Sequence, residues 1–590
     1  MDKTYRDREL LAQAKGKGPI ATLGAFFRLS GPGWLQSAIT LGGGSLGGAL
    51  YLGMLGGTSM LWLQLVAIVI GVIMLSAISY VTLSTGERPY SAINRHVNPV
   101  LGVSWITATI LANMIFILPQ FSLCFDAIDS NLVSGGVGQY FGVGEEASAI
   151  EVEEANTRAK IALSALLGLA ALTIVIMSYK PGWMSRTFDI LLKLIVGVVV
   201  ICFVAVVWKL STDGALNWGE IWAGFIPNPS HWTNTAPAIQ TLLESVPTER
   251  AEYWEGLITK SQQSSMIGVT ATAVGLNMTF LLPYSMLARG WDKPFRGLAR
   301  FDLTTGMAIP YIVVTSCIVI ASAHAFHAKA DEKFLSDNAA SVQESQLFKS
   351  TLSALKGRYE EQYGKIGSEK LQKLDEGELE TELAEFAAKL SQEERKLIPT
   401  VIKPNAKQLA ASLAPLLGEK NANLVFGIGA LAMGFSTIVI LMLINGYAFA
   451  EIAGTYNSTW VRSLGAVAAG VMGFCWFLIW TGASRTWLII VASTFAAILL
   501  PIAYISFFAL MNSKTLLGDE KPTGGRMTVW NILMGIGVVG ACVQTWKSAS
   551  LMSDPETGSA VIGGLVTFVL LAVVGFSARE RITNKTESSQ

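Results

Sequence analysis

Twelve runs of about twenty predominantly apolar residues, each long enough to cross a bilayer as one α-helix, divide this chain from end to end. They fall at 32–54, 59–83, 100–128, 161–179, 187–209, 264–287, 303–325, 423–447, 461–480, 487–511, 528–546 and 559–577. In lipid every backbone N–H and C=O must be paired, so each run is predicted to be a helix. The fold class is therefore all-α, a polytopic membrane protein of about twelve transmembrane helices. Composition agrees. Of 590 residues, 51% are hydrophobic and 15% charged, against about 25% charged in a soluble chain. With 43 Lys+Arg balanced by 43 Asp+Glu, nothing points to nucleic acid as a partner. Cys124, Cys202, Cys317, Cys475 and Cys542 lie in apolar runs without CxxC spacing, so they read as buried small hydrophobes. The first twenty residues are polar and predict no cleavable signal peptide.

Lys and Arg mark the cytoplasmic side. They gather in the N-terminal tail, at Arg88 and Arg95, at Lys180 and Arg186, at 289–300, at Arg462, at 514–526 and at 579–585, which are alternate loops and both ends. The intervening loops are poor in positive charge or acidic, as at Glu145, Glu146, Glu151, Glu153 and Glu154. Both termini are expected in the cytoplasm, and a bacterial inner membrane is the expected location. The predicted organisation is a cytoplasmic tail at 1–30 and helices 1–7 over 31–325, with outward loops at 129–160 and 210–262. A helical extracytoplasmic insert follows at 328–408, helices 8–12 over 409–577, and a cytoplasmic tail at 578–590. In the insert, Leu371, Leu374, Leu379, Leu383 and Phe386 recur at helical spacing.

Span 1 carries Gly42-Gly43-Gly44-Ser45 and then Gly47-Gly48. Each glycine costs a helix about 1 kcal/mol relative to alanine, so this cluster should unwind the middle of the span. Span 6 has a second weak point at Gly275-Leu276-Asn277, followed by Pro283. Spans 1 and 6 hold matching positions in two five-span halves. Broken helices in matching positions are the sequence mark of a transporter's mid-membrane site. Close helix packing by small residues is the competing explanation.

Six motifs in order then resemble the Nramp family (natural resistance-associated macrophage proteins), proton-coupled divalent-metal transporters. They are Gly31-Pro32-Gly33-Trp34-Leu35-Gln36-Ser37, Ser84-Thr85-Gly86, the charged helix start with Arg186, Asp189 and Lys193, Phe301-Asp302, His324-Ala325-Phe326-His327 and Ala414-Pro415-Leu416-Leu417-Gly418. The resemblance implies an inverted five-helix repeat with helices 1 and 6 broken. It also implies a metal site of Asp-Pro-Gly-Asn on helix 1 and Met-Pro-His on helix 6. Here those positions read Gly42-Gly43-Gly44-Ser45 and Gly275-Leu276-Asn277, so the carboxylate, the amide, the thioether and the imidazole are all replaced. Met278 stands nearby in a shifted register. Helix 3, where the family carries acids for its proton path, has none between Asn113 and Gln120, which puts proton coupling in doubt.

The candidate substrate-binding residues are Gly42, Gly43, Gly44, Ser45, Thr272, Gly275 and Asn277, with Ser45 and Asn277 as candidate metal ligands and Thr279 as a further hydroxyl. Gln120, Lys193, His324 and His327 are candidates for coupling or gating. Glycines in place of side chains are expected to enlarge the cavity. The leading function is a secondary transporter or facilitator that moves a divalent-class cation, hydrated or not. The alternative is a small organic solute such as an amino acid, its carboxylate resting on free N–H groups of a half-helix. No nucleophile elbow, P-loop or HExxH is present, which argues against an enzyme, and no cofactor is called for. The expected partners are the bilayer and the transported cation or solute, and nothing in the sequence demands more than a monomer.

Overall fold

The computed structural model describes residues 3–142, 149–179, 183–345, 347–402, 418–479 and 487–550. Within them the chain is helical throughout, with no strand. Two short helices, α1 (Lys3–Gly16) and α2 (Pro19–Leu29), precede the first span where the sequence suggested only a tail. Span 1 is split into α3 (Pro32–Thr40) and α4 (Gly43–Gly56). Span 2 is α5 (Leu61–Thr85). After the short α6 (Pro89–His96), span 3 is α7 (Pro99–Ala127), helical straight through Pro119. Spans 4 and 5 are α8 (Ala149–Tyr179) and α9 (Trp183–Thr212). The loop that follows holds α10 (Trp218–Ala223) and α11 (Pro237–Glu244).

Span 6 is split into α12 (Thr248–Ala273) and α13 (Leu276–Ala288). Span 7 comprises α14 (Arg296–Leu303), one wide π turn and α15 (Ile309–Phe326). The insert folds as α16 (Ala339–Gln343), α17 (Phe348–Lys373), α18 (Glu376–Lys389) and α19 (Gln392–Leu397). Leu371, Leu383 and Phe386 are buried in it, as their spacing requires. Spans 8 to 11 are α20 (Glu419–Ile452), α21 (Thr459–Phe474) with the one-turn α22 (Trp476–Ile479), α23 (Trp487–Asn512) and, after α24 (Lys514–Leu517), α25 (Gly525–Ser550). The twelfth expected span (559–577), the tail 578–590, the acidic pair Glu145 and Glu146, and Ala414–Leu417 lie outside the described residues.

α1 bonds Asp292 and the Pro294 carbonyl just before span 7, and the insert follows span 7, so the two lie at opposite ends of that span. Isoleucine, leucine and valine side chains of α8, α9 and α25 stand exposed, among them Leu166, Leu169, Leu194, Ile201, Val539 and Val543. Apolar surface on that scale is a lipid-facing girdle, so the chain is a multi-pass membrane protein. The buried centre is made of α3, α4, α12 and α13, with α7 and α20 packed against them. Helix ends overrun the apolar runs on the insert face. α12 starts at Thr248 and α8 at Ala149, because polar, helix-favouring sequence extends each span into water.

Candidate functional site

Both expected breaks are present. In helix 1 the chain leaves the helix at Leu41 (φ −88°, ψ 48°) and Gly42 (φ −98°, ψ −176°) before α4 begins. In helix 6 it leaves at Val274 (φ −142°, ψ 93°) and Gly275 (φ −78°, ψ 167°). Each break frees backbone groups that no water reaches, and nearby side chains take them up. Gln120 Oε1 on α7 accepts from Gly43 N at 3.0 Å. Ser45 Oγ donates to the Thr40 carbonyl. Ser436 Oγ on α20 donates to the Ala38 carbonyl at 2.8 Å. Asn277 Oδ1 accepts from Met278 N at 2.9 Å, and Thr279 Oγ1 donates to the Leu276 carbonyl. The two breaks meet. Thr40 Oγ1 of helix 1 donates to Met278 Sδ of helix 6 at 3.4 Å, while Trp105 Nε1 of α7 donates to Thr279 Oγ1 at 3.2 Å.

The expectation of an enlarged cavity is corrected by the packing. A Cβ at residue 44 would stand 2.7 Å from Thr272 Cγ2 and 3.3 Å from Phe116 Cε1. At residue 43 it would stand 2.6 Å from Gln120 Oε1 and 2.8 Å from Leu123 Cδ2. At residue 42 it would stand 2.2 Å from Thr437 Oγ1. The glycines therefore do two things: they release the ladder, and they let α7, α12 and α20 close on the released backbone. Gly275 faces Asn277 Oδ1 at 2.8 Å from its Cβ position. Thr272 bonds back to the Gly268 and Val269 carbonyls at 3.0 and 3.1 Å. Helices 1 and 6 thus close on each other at Gly44–Thr272 and Thr40–Met278, while Gly275 and Asn277 make their contacts within helix 6. The polar groups of this seam are hydroxyls, amides and one thioether, without a carboxylate.

The remaining candidates lie elsewhere. Lys193 donates to the Ser30 carbonyl at 3.3 Å and lies 5.8 Å from the Trp34 ring centre, at the base of helix 1. Beside it Asp302 accepts from Gly31 N (3.1 Å), Gly33 N (2.7 Å) and Ser30 Oγ, and so caps α3 from another helix. Gly33 permits this, because a Cβ there would stand 2.0 Å from the Asp302 carbonyl oxygen. His327 Nδ1 bonds the Met54 carbonyl at 2.9 Å. The His324 carbonyl accepts from Lys329 Nζ at 2.6 Å. Both histidines sit at the insert-face end of α15, away from the breaks. Among the described residues no three of His, Cys, Asp and Glu stand close enough to share a metal ion.

The sequence reading passed over Thr40, Ser436 and Thr437. Adjacent hydroxyls inside the apolar helix 8 were the available signal, since buried hydroxyls need partners. It also missed the cluster in which the Arg462 guanidinium lies 4.6, 5.0 and 5.7 Å from the ring centres of Tyr456, Tyr447 and Tyr179. Arg88 pairs there with Glu451 at 2.8 Å.

Comparison with known proteins agrees with this arrangement. The sequence profile of the family described as natural resistance-associated macrophage protein-like (Nramp) matches residues 386–546. No curated protein matches the chain by sequence. Among solved structures, the manganese transporter of Eremococcus coleocola in complex with an aromatic bis-isothiourea substituted compound is similar at 10% identity. It has a TM-score of 0.61 and covers 95% of this chain and 97% of its own. A single-residue mutant of that transporter gives a TM-score of 0.59 at 10% identity over 94% and 96%. At that identity the likeness speaks for the fold, which is shared over nearly the whole length, while the profile links the sequence itself. With its paired breaks in helices 1 and 6 but different residues at them, the chain is similar to the Nramp family in the profile over residues 386–546 and in fold over nearly its whole length.

Proposed function

We propose that this protein carries a metal cation of the divalent class across the membrane, through the seam where helices 1 and 6 are broken. The observation that carries the reading is the meeting of the two breaks at Thr40–Met278 and Gly44–Thr272. Irregular backbone at membrane depth is tolerated where it is buried in protein or lines a cavity, and breaks in matching positions of two halves mark a transporter's mid-membrane site. Gly42, Gly43, Gly44, Ser45, Thr272, Gly275 and Asn277 are proposed to line that path. Ser45 and Asn277 would exchange their backbone bonds for the ion, and carbonyls of the unwound segments would join them. Met278 supplies a soft thioether beside these neutral oxygens, a donor that favours transition metals over magnesium and calcium. The hydroxyls and amide that close the seam suit a compact cation better than an amino acid.

No carboxylate lies at the seam, so entry of a charged ion is proposed to draw on the membrane potential, about 2.3 kcal/mol per charge per 100 mV. Proton coupling has no acidic group to work through on the described part of helix 3 between Asn113 and Gln120. Gln120, Lys193, His324 and His327 are proposed to hold helix ends and breaks in register. The face that carries α1 is proposed to be cytoplasmic, because Lys and Arg gather there. The test is uptake of manganese, cadmium and magnesium into proteoliposomes under an inside-negative potential. Accumulation of manganese or cadmium above empty vesicles is expected, with Met278→Leu lowering cadmium more than magnesium. Failure of all three ions to enter would refute the reading.

A further inference from the structure

Helix 6 begins with a polar stretch from Thr248, and the insert grips that stretch. Glu394 on α19 is completely buried. Its Oε1 accepts from Arg358 Nε on α17 at 2.6 Å and from Trp254 Nε1 on α12 at 3.1 Å, and its Oε2 accepts from Arg250 Nη1 on α12 at 3.4 Å. Arg358 is 1% exposed, bonds Glu361 at 2.6 Å and lies 6.0 Å from the ring centre of Tyr253. Gly357 lets the Tyr253 hydroxyl approach, since a Cβ there would stand 2.8 Å from it. One buried carboxylate thus ties the insert to the outer half of helix 6.

The insert also holds the outer half of helix 1. It grows out of α15, whose Ser322 Oγ donates to the Leu50 carbonyl at 2.7 Å, and His327 follows with its bond to Met54. The buried turn Ile398–Val401, which closes the insert, packs on both α4 and α12. Between these grips the two outer halves are shut upon each other. Gly48 faces Val269 at 2.9 Å from its Cβ position, and Val269 is 2% exposed.

We infer that the insert is the clamp of the outer path, with Glu394 a positioning residue that holds α12 closed on α4. Opening toward the insert face then requires α12 and the insert either to move as one body or to part at Glu394. Parting breaks the bonds that Glu394 accepts from Trp254 Nε1 and Arg250 Nη1 on α12 and leaves its buried carboxylate with Arg358 alone, which is unfavourable. A helical module that reads as a passive cap therefore sets how readily the outer halves separate. The consequence for transport rests on the proposed cation path, whereas the clamp itself is read without any transport.

The test uses Val269→Cys in a full-length chain whose five native cysteines are replaced by serine or alanine, purified in detergent. The readout is its rate of reaction with a bulky polar maleimide. Slow labelling is expected with Glu394 intact, rising about tenfold in Glu394→Gln. The pair Glu394→Gln with Arg358→Met removes both buried charges and gives a variant that folds if the single change does not; the same rise is expected in it. An unchanged rate in whichever variant elutes as a monodisperse peak would overturn the clamp, as would fast labelling with Glu394 intact. Absence of cation uptake by the wild type would refute the transport reading and leave this result standing.

Discussion

Gln120 tests how the break in helix 1 is supported. Its Oε1 is the acceptor for Gly43 N at 3.0 Å, while its Nε2 has no partner among the described residues. Only the acceptor half of the amide is in use. Gln120→Leu keeps the volume and strands a buried N–H, a loss of about 1–3 kcal/mol. That corresponds to about a 5- to 140-fold change in the equilibrium that favours the closed packing. Gln120→Glu, compared with wild type at acid pH where the buried carboxyl is neutral, keeps an acceptor oxygen in place for Gly43 N. The assay is the thermal midpoint in detergent, followed by recovery of the monodisperse peak. The leucine variant is expected to melt well below wild type and the glutamate variant close to it. Gly43→Ala pushes the same amide away, since its Cβ would stand 2.6 Å from Oε1. Combined with Gln120→Leu it should cost less than the sum of the two single changes, because both remove one bond. A leucine variant that melts with wild type, or strict additivity of the pair, would refute the role given to Gln120.

Two further outcomes follow from the packing and the charges. Gly42→Asp alone should be poorly accommodated, because its Cβ would meet Thr437 Oγ1 at 2.2 Å. Thr437→Ala removes this closest contact, and a Gly42→Asp, Thr437→Ala, Gly275→Met variant that elutes as a single folded peak should bind manganese more strongly than the wild type in a calorimetric titration; a folded triple variant with no added heat of binding counts against the alignment of the two breaks. In the insert, hydrogen bonds from Lys370 and then Tyr359 hold the Glu382 carboxyl below its ordinary range. Its folded pKa thus lies below its unfolded one, so the stabilisation is present at neutral pH and is lost as pH falls through the folded value. Hydrogen-exchange protection factors of α17 and α18, corrected for the intrinsic pH dependence of amide exchange, should fall at acid pH in the wild type, and Glu382→Gln should flatten that dependence; identical pH profiles would contradict it.

The helices were legible because apolar length is a direct physical requirement of the bilayer, and the breaks because glycine clusters are costly in a helix. What the glycines face was not legible. Gly42–Gly44 read as lost side chains and hence as empty space, yet Thr437, Gln120 and Thr272 fill that space from helices remote in sequence. A single chain shows where the backbone can approach a neighbour but not which neighbour comes. Gln120 could be singled out as a polar residue in an apolar helix, whereas its partner, an N–H freed by a break in another helix, exists only in the folded packing. Asp302 was visible in a motif, but its three bonds to the start of α3 depend on helix 7 lying against helix 1. The N-terminal tail hid two helices because α1 carries no apolar stripe and α2 is too short to register as a span. The insert's helices were expected from composition and spacing, but its hold on helix 6 through Glu394 was not, since neither Trp254 nor Arg250 lies near it in sequence.

Divalent-cation uptake into proteoliposomes by wild type and Gly44→Val, compared at equal reconstitution, tests most directly whether the meeting of the two breaks is the passage. The valine side chain would wedge between Thr272 and Phe116. Uptake by the wild type, abolished by a valine variant that still elutes as a single folded peak, is the result predicted. Valine vesicles that fill as fast as wild type would place the passage elsewhere.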